Sequence, residues 1–183
     1  MIRAIITDFD GTLVDTFEAN LYAYQEAFKY VGLSLTTDCY RKCFGFRFPE
    51  FMKAVGIDDN EIAQQIRQIK CESYPKYFDK LRPNNSLIDF IRFSRQQGLH
   101  TAVASTARGK NLMNALYFIK AEDAFEYILV GEDVQNGKPD PEIYNKVLTH
   151  FSIQPCEAIV FEDSEIGIKA AEAAKVNYIK VKL

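Results

Sequence analysis

The stretch Arg3-Ala4-Ile5-Ile6-Thr7-Asp8-Phe9-Asp10-Gly11-Thr12 sets an apolar, β-branched run directly against two aspartates and a glycine. A short run of this kind, bounded by a turn signal, predicts a buried strand that delivers Asp8 and Asp10 to the loop at its C-terminal end. Similar runs recur at 99–105, 127–131, 158–163 and 176–181, and helical patterns lie between them at 85–97 (closed by Gly98), 110–119, 141–151 and 165–174. Strands alternating with helices predict βαβ crossovers. The expected fold class is therefore α/β, a doubly wound, three-layer αβα Rossmann-like parallel sheet.

The alternation stops between residues 16 and 82, where no convincing buried strand is found. Phe17, Leu21, Tyr24, Phe28 and Val31 repeat every three or four residues, the spacing of one helix face, and Gly32 is placed to end that helix. Asp58-Asp59-Asn60 can cap a second helix carrying Ile62, Ile66 and Ile69, which Pro75 should end or kink. The chain thus divides into 1–15 with 83–183, a sheet domain, and an inserted helical domain at 16–82. The insert holds 10 Lys and Arg against 9 Asp and Glu, so the net charge of −3 comes from the sheet domain.

With 48% hydrophobic and 26% charged residues, the chain reads as a folded globular protein and not as a disordered or low-complexity one. Its acidic balance lacks the clustered basic excess that neutralises phosphates, which speaks against nucleic acid or a membrane surface as partner. No apolar run approaches membrane-spanning length, and Asp8 and Asp10 interrupt the N-terminal run before an export pattern develops. A cytoplasmic location follows, in which Cys39, Cys43, Cys71 and Cys156 are expected as free thiols. His100 and His150 have no matched partner in the sequence and are expected to be structural.

In an open parallel sheet, ligands bind beyond the C-terminal strand ends. Those ends here carry Asp8 and Asp10, then Ser105-Thr106, then Glu162-Asp163, with Lys138 in the loop 137–141. Asp8, Asp10 and Asp163 would crowd one spot, which is costly without a cation. Mg²⁺ suits such hard oxygen donors, and Lys138 and Ser105 would meet phosphoryl oxygens.

The segments Asp8-Phe9-Asp10-Gly11-Thr12, Ala104-Ser105-Thr106, Gly137-Lys138-Pro139-Asp140-Pro141 and Glu162-Asp163-Ser164-Glu165-Ile166-Gly167 stand in the order of the four motifs of the haloacid dehalogenase (HAD) superfamily. The chain resembles the phosphatase branch with a small helical cap inserted after the first strand, and within it proteins of the phosphoglycolate phosphatase and β-phosphoglucomutase kind. The resemblance implies a Mg²⁺-dependent phosphomonoester hydrolase acting on a small phosphorylated metabolite. It makes Asp8 the nucleophile that forms an aspartyl-phosphate and Asp10 the general acid and base. Ser105, Thr106 and Lys138 would bind the transferring phosphoryl group. Asp8, Asp10, Asp163 and Glu162 would hold the metal, Glu162 directly or through water. Dehalogenase members lack the second carboxylate, so Asp10 favours phosphoryl transfer.

The cap is expected to select the substrate, with Thr16, Asn20 and Arg47 as its candidate residues. Phe44, Phe46 and Phe48 alternate around Arg47, which either clamps a substrate anion or stands solvated beside an aromatic core. A sugar phosphomutase is the alternative activity, although this chain has Asn20 where β-phosphoglucomutase carries a histidine. A receiver-like signalling domain also gathers carboxylates and a lysine at parallel strand ends, but its phosphorylated aspartate sits on the third strand, where this chain has none. A monomer is expected, with a dimer left open. Related chains commonly continue past the fifth strand, whereas this one stops at Val181-Lys182-Leu183, so the sheet edge there is expected to be less covered.

Overall fold

The structure, a computed structural model, describes residues 1–183 as two compact units, 1–15 with 82–183 and 16–81. In the first unit, β1 (Ala4–Thr7) is followed by the two-residue strand β2 (Val14–Asp15). The second unit holds α1 (Phe17–Tyr30), α2 (Thr37–Cys43), α3 (Phe48–Ala54) and α4 (Asn60–Ser73), then a 3-10 turn over Tyr74–Lys80. The first unit resumes with β3 (Arg82–Pro83), α5 (Asn85–Gln96), β4 (His100–Ala104), α6 (Gly109–Phe118) and β5 (Tyr127–Leu129). It closes with α7 (Glu142–Phe151), β6 (Ala158–Glu162), α8 (Glu165–Ala173) and β7 (Asn177–Lys180).

The main sheet has the order β5-β4-β1-β6-β7 and is parallel throughout, as the alternation of strands and helices predicts. The chain runs from β1 outward to β4 and β5, then returns to the other side of β1 for β6 and β7. The reversal places the crevice at the C-terminal end of β1. Ala4, Ile6, Ala102, Ala104, Ala158 and Val160 form one row of side chains, packed into a single core with Tyr144, Val147 and Phe151 of α7 and Ala170 and Ala171 of α8. Small residues on both layers let α8 lie close to the sheet. Ile5, Thr101 and Val103 are also buried, and by strand alternation they face the other way.

The strand edges are shorter than the apolar runs suggest. β1 ends at Thr7, yet the Asp8 N–H still donates to the Phe161 carbonyl at 2.9 Å, so the ladder carries Asp8 one position past the strand. The edge strand β7 is exposed at all four residues. Arg82 belongs to the sheet unit, where β3 pairs antiparallel with β2 and sets Asp15 opposite Arg82.

The helical unit is built on rings. Tyr24 packs edge-on against Phe51 at 4.8 Å, and Tyr40 meets Phe17, Phe44 and Phe51 between 5.4 and 5.9 Å. Asp59 caps α4 by accepting from the N–H groups of Glu61 and Ile62, and the α-helical geometry stops just before Pro75. The helices α2 and α3 are additions to the two that the periodicity predicts. Phe48 opens α3, which turns the alternation of Phe44, Phe46 and Phe48 into a bend between helices. No helix of the chain is long and apolar enough to cross a membrane.

Candidate active site

Asp8 continues the row of Ala4 and Ile6, and Glu162 continues the row of Ala158 and Val160, so both carboxylates point to the α7 and α8 side at the end of paired strands. Between them stands Lys138. Its ammonium donates to Asp8 Oδ1 at 2.6 Å and to Glu162 Oε1 at 2.5 Å, and its side chain is only 3% exposed. Desolvation alone would push the lysine down, but the charge of Asp8, with Tyr144 and Glu162 adding to it, carries it well above the ordinary lysine range. Two carboxylates thus face the one ammonium.

Glu162 is wholly buried and fully engaged. Oε1 also accepts from the Tyr144 hydroxyl at 3.1 Å, and Oε2 accepts from the Ser164 N–H at 3.1 Å and the Ser164 hydroxyl at 3.0 Å. Four donors match the four lone-pair directions of a carboxylate. Asp163, its neighbour in sequence, is placed differently. Its Oδ1 accepts from the Thr12 hydroxyl at 2.7 Å, and it has no salt bridge. Burial raises its pKa, opposed by the Thr12 hydrogen bond and reinforced by the Glu162 charge. Burial likewise raises Asp8, against the pull of Lys138, with the charges of Glu162 and Asp10 adding to the rise.

Two glycines make room for this arrangement. A Cβ on Gly11 would lie 2.4 Å from Asp163 Oδ2, and a Cβ on Gly167 would lie 1.8 Å from Glu162 Oε1. Gly11 also has φ of +90°, a conformation that L side chains rarely adopt.

Ligand oxygens of Asp8, Glu162 and Asp163 lie within 4.8 Å of one another, the one such acidic cluster in the chain. Asp10 sits half-buried in the turn after β1, bridged to Val14, and its carboxylate is close enough to act on Asp8 electrostatically. Ser105 is buried at the end of β4, beside β1 in the sheet, where its hydroxyl accepts from the Ala107 N–H at 3.0 Å; Thr106 next to it is exposed. The structure thus gathers Asp8, Lys138, Glu162 and Asp163 and sets Asp10, Ser105 and Thr106 on the neighbouring loops.

Thr16, Asn20 and Arg47 belong to the helical unit. Thr16 precedes α1 and Asn20 lies in its first turns, both buried. Arg47 is exposed at the start of α3, where its N–H donates to the Glu50 carboxylate. Phe44 and Phe51 serve the ring cluster, and Phe46 is 50% exposed.

His100 stacks on Phe151 and pairs with Glu126, and His150 stacks on Tyr127; His100 opens β4, at the end opposite Ser105, and His150 lies in the last turn of α7. All four cysteines are free. The sequence did not single out Tyr144 or Glu142. Tyr144 occupies an ordinary position in the apolar stripe of α7, and nothing in its spacing marks the hydroxyl as a partner for Glu162.

Comparison with known proteins adds the chain's relatives. Residues 5–181 match the family of haloacid dehalogenase-like hydrolases. The phosphorylated carbohydrates phosphatase of Thermotoga maritima is 29% identical over 182 residues, covering 97% of this chain and 84% of that protein. The β-phosphoglucomutase of Bacillus subtilis is 25% identical over 183 residues, covering 94% and 80%. The solved structure of a CbbY variant from Rhodobacter sphaeroides, in complex with xylulose-1,5-bisphosphate, superposes with a TM-score of 0.87 at 26% identity, covering 100% of this chain and 87% of that one.

Proposed function

The chain belongs to the haloacid dehalogenase-like hydrolase family and is an enzyme of it, and from that premise we propose that it hydrolyses phosphomonoesters of small carbohydrates through an aspartyl-phosphate on Asp8. The observation that carries this reading is the bridge of the Lys138 ammonium from Asp8 to Glu162. It fixes one oxygen of Asp8 and leaves the other for phosphorus. The relatives named above as a phosphorylated carbohydrates phosphatase and a β-phosphoglucomutase, and the xylulose bisphosphate complex, support a sugar phosphate as the substrate class.

A metal ion fits the residues present. Three carboxylates meet within 4.8 Å, and one ammonium is among them, so the cluster keeps an excess of negative charge that burial makes costly. Asp8, Asp163 and the Asp10 backbone carbonyl are the proposed ligands, because the oxygens of Glu162 are already taken by Lys138, Tyr144 and Ser164. When bound, Mg²⁺ would supply positive charge to the phosphoryl oxygens and hold the nucleophile ionised.

The chain's own residues account for the remaining chemistry. Asp8 attacks phosphorus, forming an O–P bond as the ester P–O bond breaks, and Asp10 protonates the departing alcohol. Lys138 offers its third N–H to a phosphoryl oxygen, and Ser105 with the Thr106 loop offers further donors. Asp10, now a carboxylate, takes a proton from water as the water attacks phosphorus; phosphate leaves and Asp8 is regenerated. We assign choice of the sugar to the helical unit, with Thr16, Asn20 and Arg47 as its substrate-facing residues, on the family resemblance.

Release of phosphate from a panel of sugar phosphates tests the reading. Activity lost on exhaustive chelation and restored by Mg²⁺ is the expected result. Full activity after chelation removes the metal, and no release from any ester removes the hydrolase; transfer to a sugar hydroxyl instead of water would identify a mutase.

A further inference from the structure

Tyr144, in α7, is the largest fully buried side chain of the protein. A phenol buried in an apolar core is costly unless its hydroxyl finds a partner. Its partner here is Glu162 Oε1 at 3.1 Å, the oxygen that also receives the Lys138 ammonium. The same ammonium lies 5.2 Å from the centre of the Tyr144 ring. Ser164 holds the other oxygen of Glu162 through both its N–H and its hydroxyl. Glu162 is thus fixed from two sides.

Lysine is a point charge on a flexible stem, and nothing in its own chemistry fixes where the charge rests. At this site the place is set by two anions, Asp8 and Glu162. We propose that Tyr144 is a positioning residue for phosphoryl transfer: its hydroxyl, acting through Glu162, sets where Lys138 holds its ammonium against Asp8. The inference rests on the phosphatase reading above. The tyrosine donates into Glu162 Oε1 and so shares that oxygen with the lysine. Without the hydroxyl, Glu162 becomes the stronger acceptor and draws the ammonium away from Asp8. Gly167 belongs to the same device, because any side chain there would displace the Glu162 carboxylate.

The test is Tyr144→Phe, which keeps the ring and removes only the hydroxyl. Expected is a fall in kcat of about tenfold or more, the scale of one hydrogen bond to a charged group, with KM and melting temperature little changed. With Glu162→Gln already in place, Tyr144→Phe should cost little further, because the hydroxyl acts only through that carboxylate. A full, independent loss in the double variant, or an effect confined to KM or to stability, overturns the proposal. NMR of the protein labelled with ¹⁵N and ¹³C reads the ammonium without turnover. Lys138 Nζ should show a coupling across its hydrogen bond to the Asp8 carboxylate in the wild type, and Tyr144→Phe should weaken it. Equal coupling in both overturns the proposal. A wild type that releases no phosphate sinks the functional reading, and the NMR comparison still decides whether Tyr144 holds Lys138.

Discussion

Each of the two units is held together internally by its own kind of interaction. At the strand ends of the sheet unit, four acidic or basic side chains and three hydroxyls bind one another through directional hydrogen bonds, most of them buried. In the helical unit, rings from α1, α2 and α3 meet edge to face, with Arg41 lying over Phe17 at 4.9 Å. Directional bonds between charges fix atoms in place and tolerate no change of type. Ring packing fixes a volume, and its energy spreads over many weak contacts. A substitution in the first region should therefore change chemistry with little loss of fold, and one in the second should do the reverse.

The sharpest break of that contrast is at Asp8. Asp8→Asn keeps the shape and removes the nucleophile, so turnover should fall by about a thousandfold or more while the melting temperature stays close to that of the wild type. Steady-state phosphate release and thermal unfolding of the same preparation check both halves. Near-normal turnover would remove Asp8 as nucleophile, and a collapsed fold would show that the strand ends hold the sheet together as well.

Phe51→Ala is the mirror experiment. Phe51 is 2% exposed and meets the rings of Tyr24, Phe28 and Tyr40. Truncating a buried phenylalanine costs about 3–5 kcal/mol. Denaturant unfolding should show that loss, while kcat per folded molecule on a small aryl phosphate is unchanged. A matching loss of kcat would mean that packing in the helical unit reaches the chemistry.

The same contrast decides what a reader of the sequence can see. Asp8, Glu162 and Asp163 fall at strand ends, so locating the strands locates them, and the parallel sheet follows from the runs of β-branched residues; Lys138 stands in the loop between β5 and α7, where only its motif marks it. Which of two adjacent carboxylates faces inward is less visible. Glu162 continues the buried row of Ala158 and Val160, whereas Asp163 turns toward Thr12, and this depends on where β6 stops. Tyr144 is hidden because an apolar stripe reads the same with or without a hydroxyl. The bend at Phe44–Phe48 is hidden for another reason: two helices of seven residues each are too short for a 3.6-residue period to show.

Arg47 should give a smaller effect and one of a different kind. It is exposed on α3, so Arg47→Ala leaves packing untouched. If the guanidinium binds an anionic group of the sugar phosphate, KM for that substrate should rise by about tenfold, the worth of one charged hydrogen bond, with kcat nearly constant. KM for an aryl phosphate that has no second polar group should not move. Equal shifts for both esters would place Arg47 outside substrate choice.

The smallest effect is expected at Glu142, where directional bonding reaches the surface. Its carboxylate accepts from the N–H groups of Gln135 and Asn136 and pairs with Lys146, tying down the loop that leads to Lys138. Those backbone donors, with Lys146 beside them, lower its pKa from 4.5 to about 2. The unfolded chain therefore takes up the proton first as pH falls. The carboxylate's contribution to stability is fully present above the unfolded value of 4.5 and is lost as pH falls through about 2. Glu142→Gln should unfold at a slightly lower temperature than the wild type at pH 7, and the gap should narrow on acidification toward pH 2. Thermal unfolding of both proteins across that range reads the difference directly. A gap that stays constant with pH would mean that the loop is held by the shape of the side chain, as the helical unit is, and not by its charge.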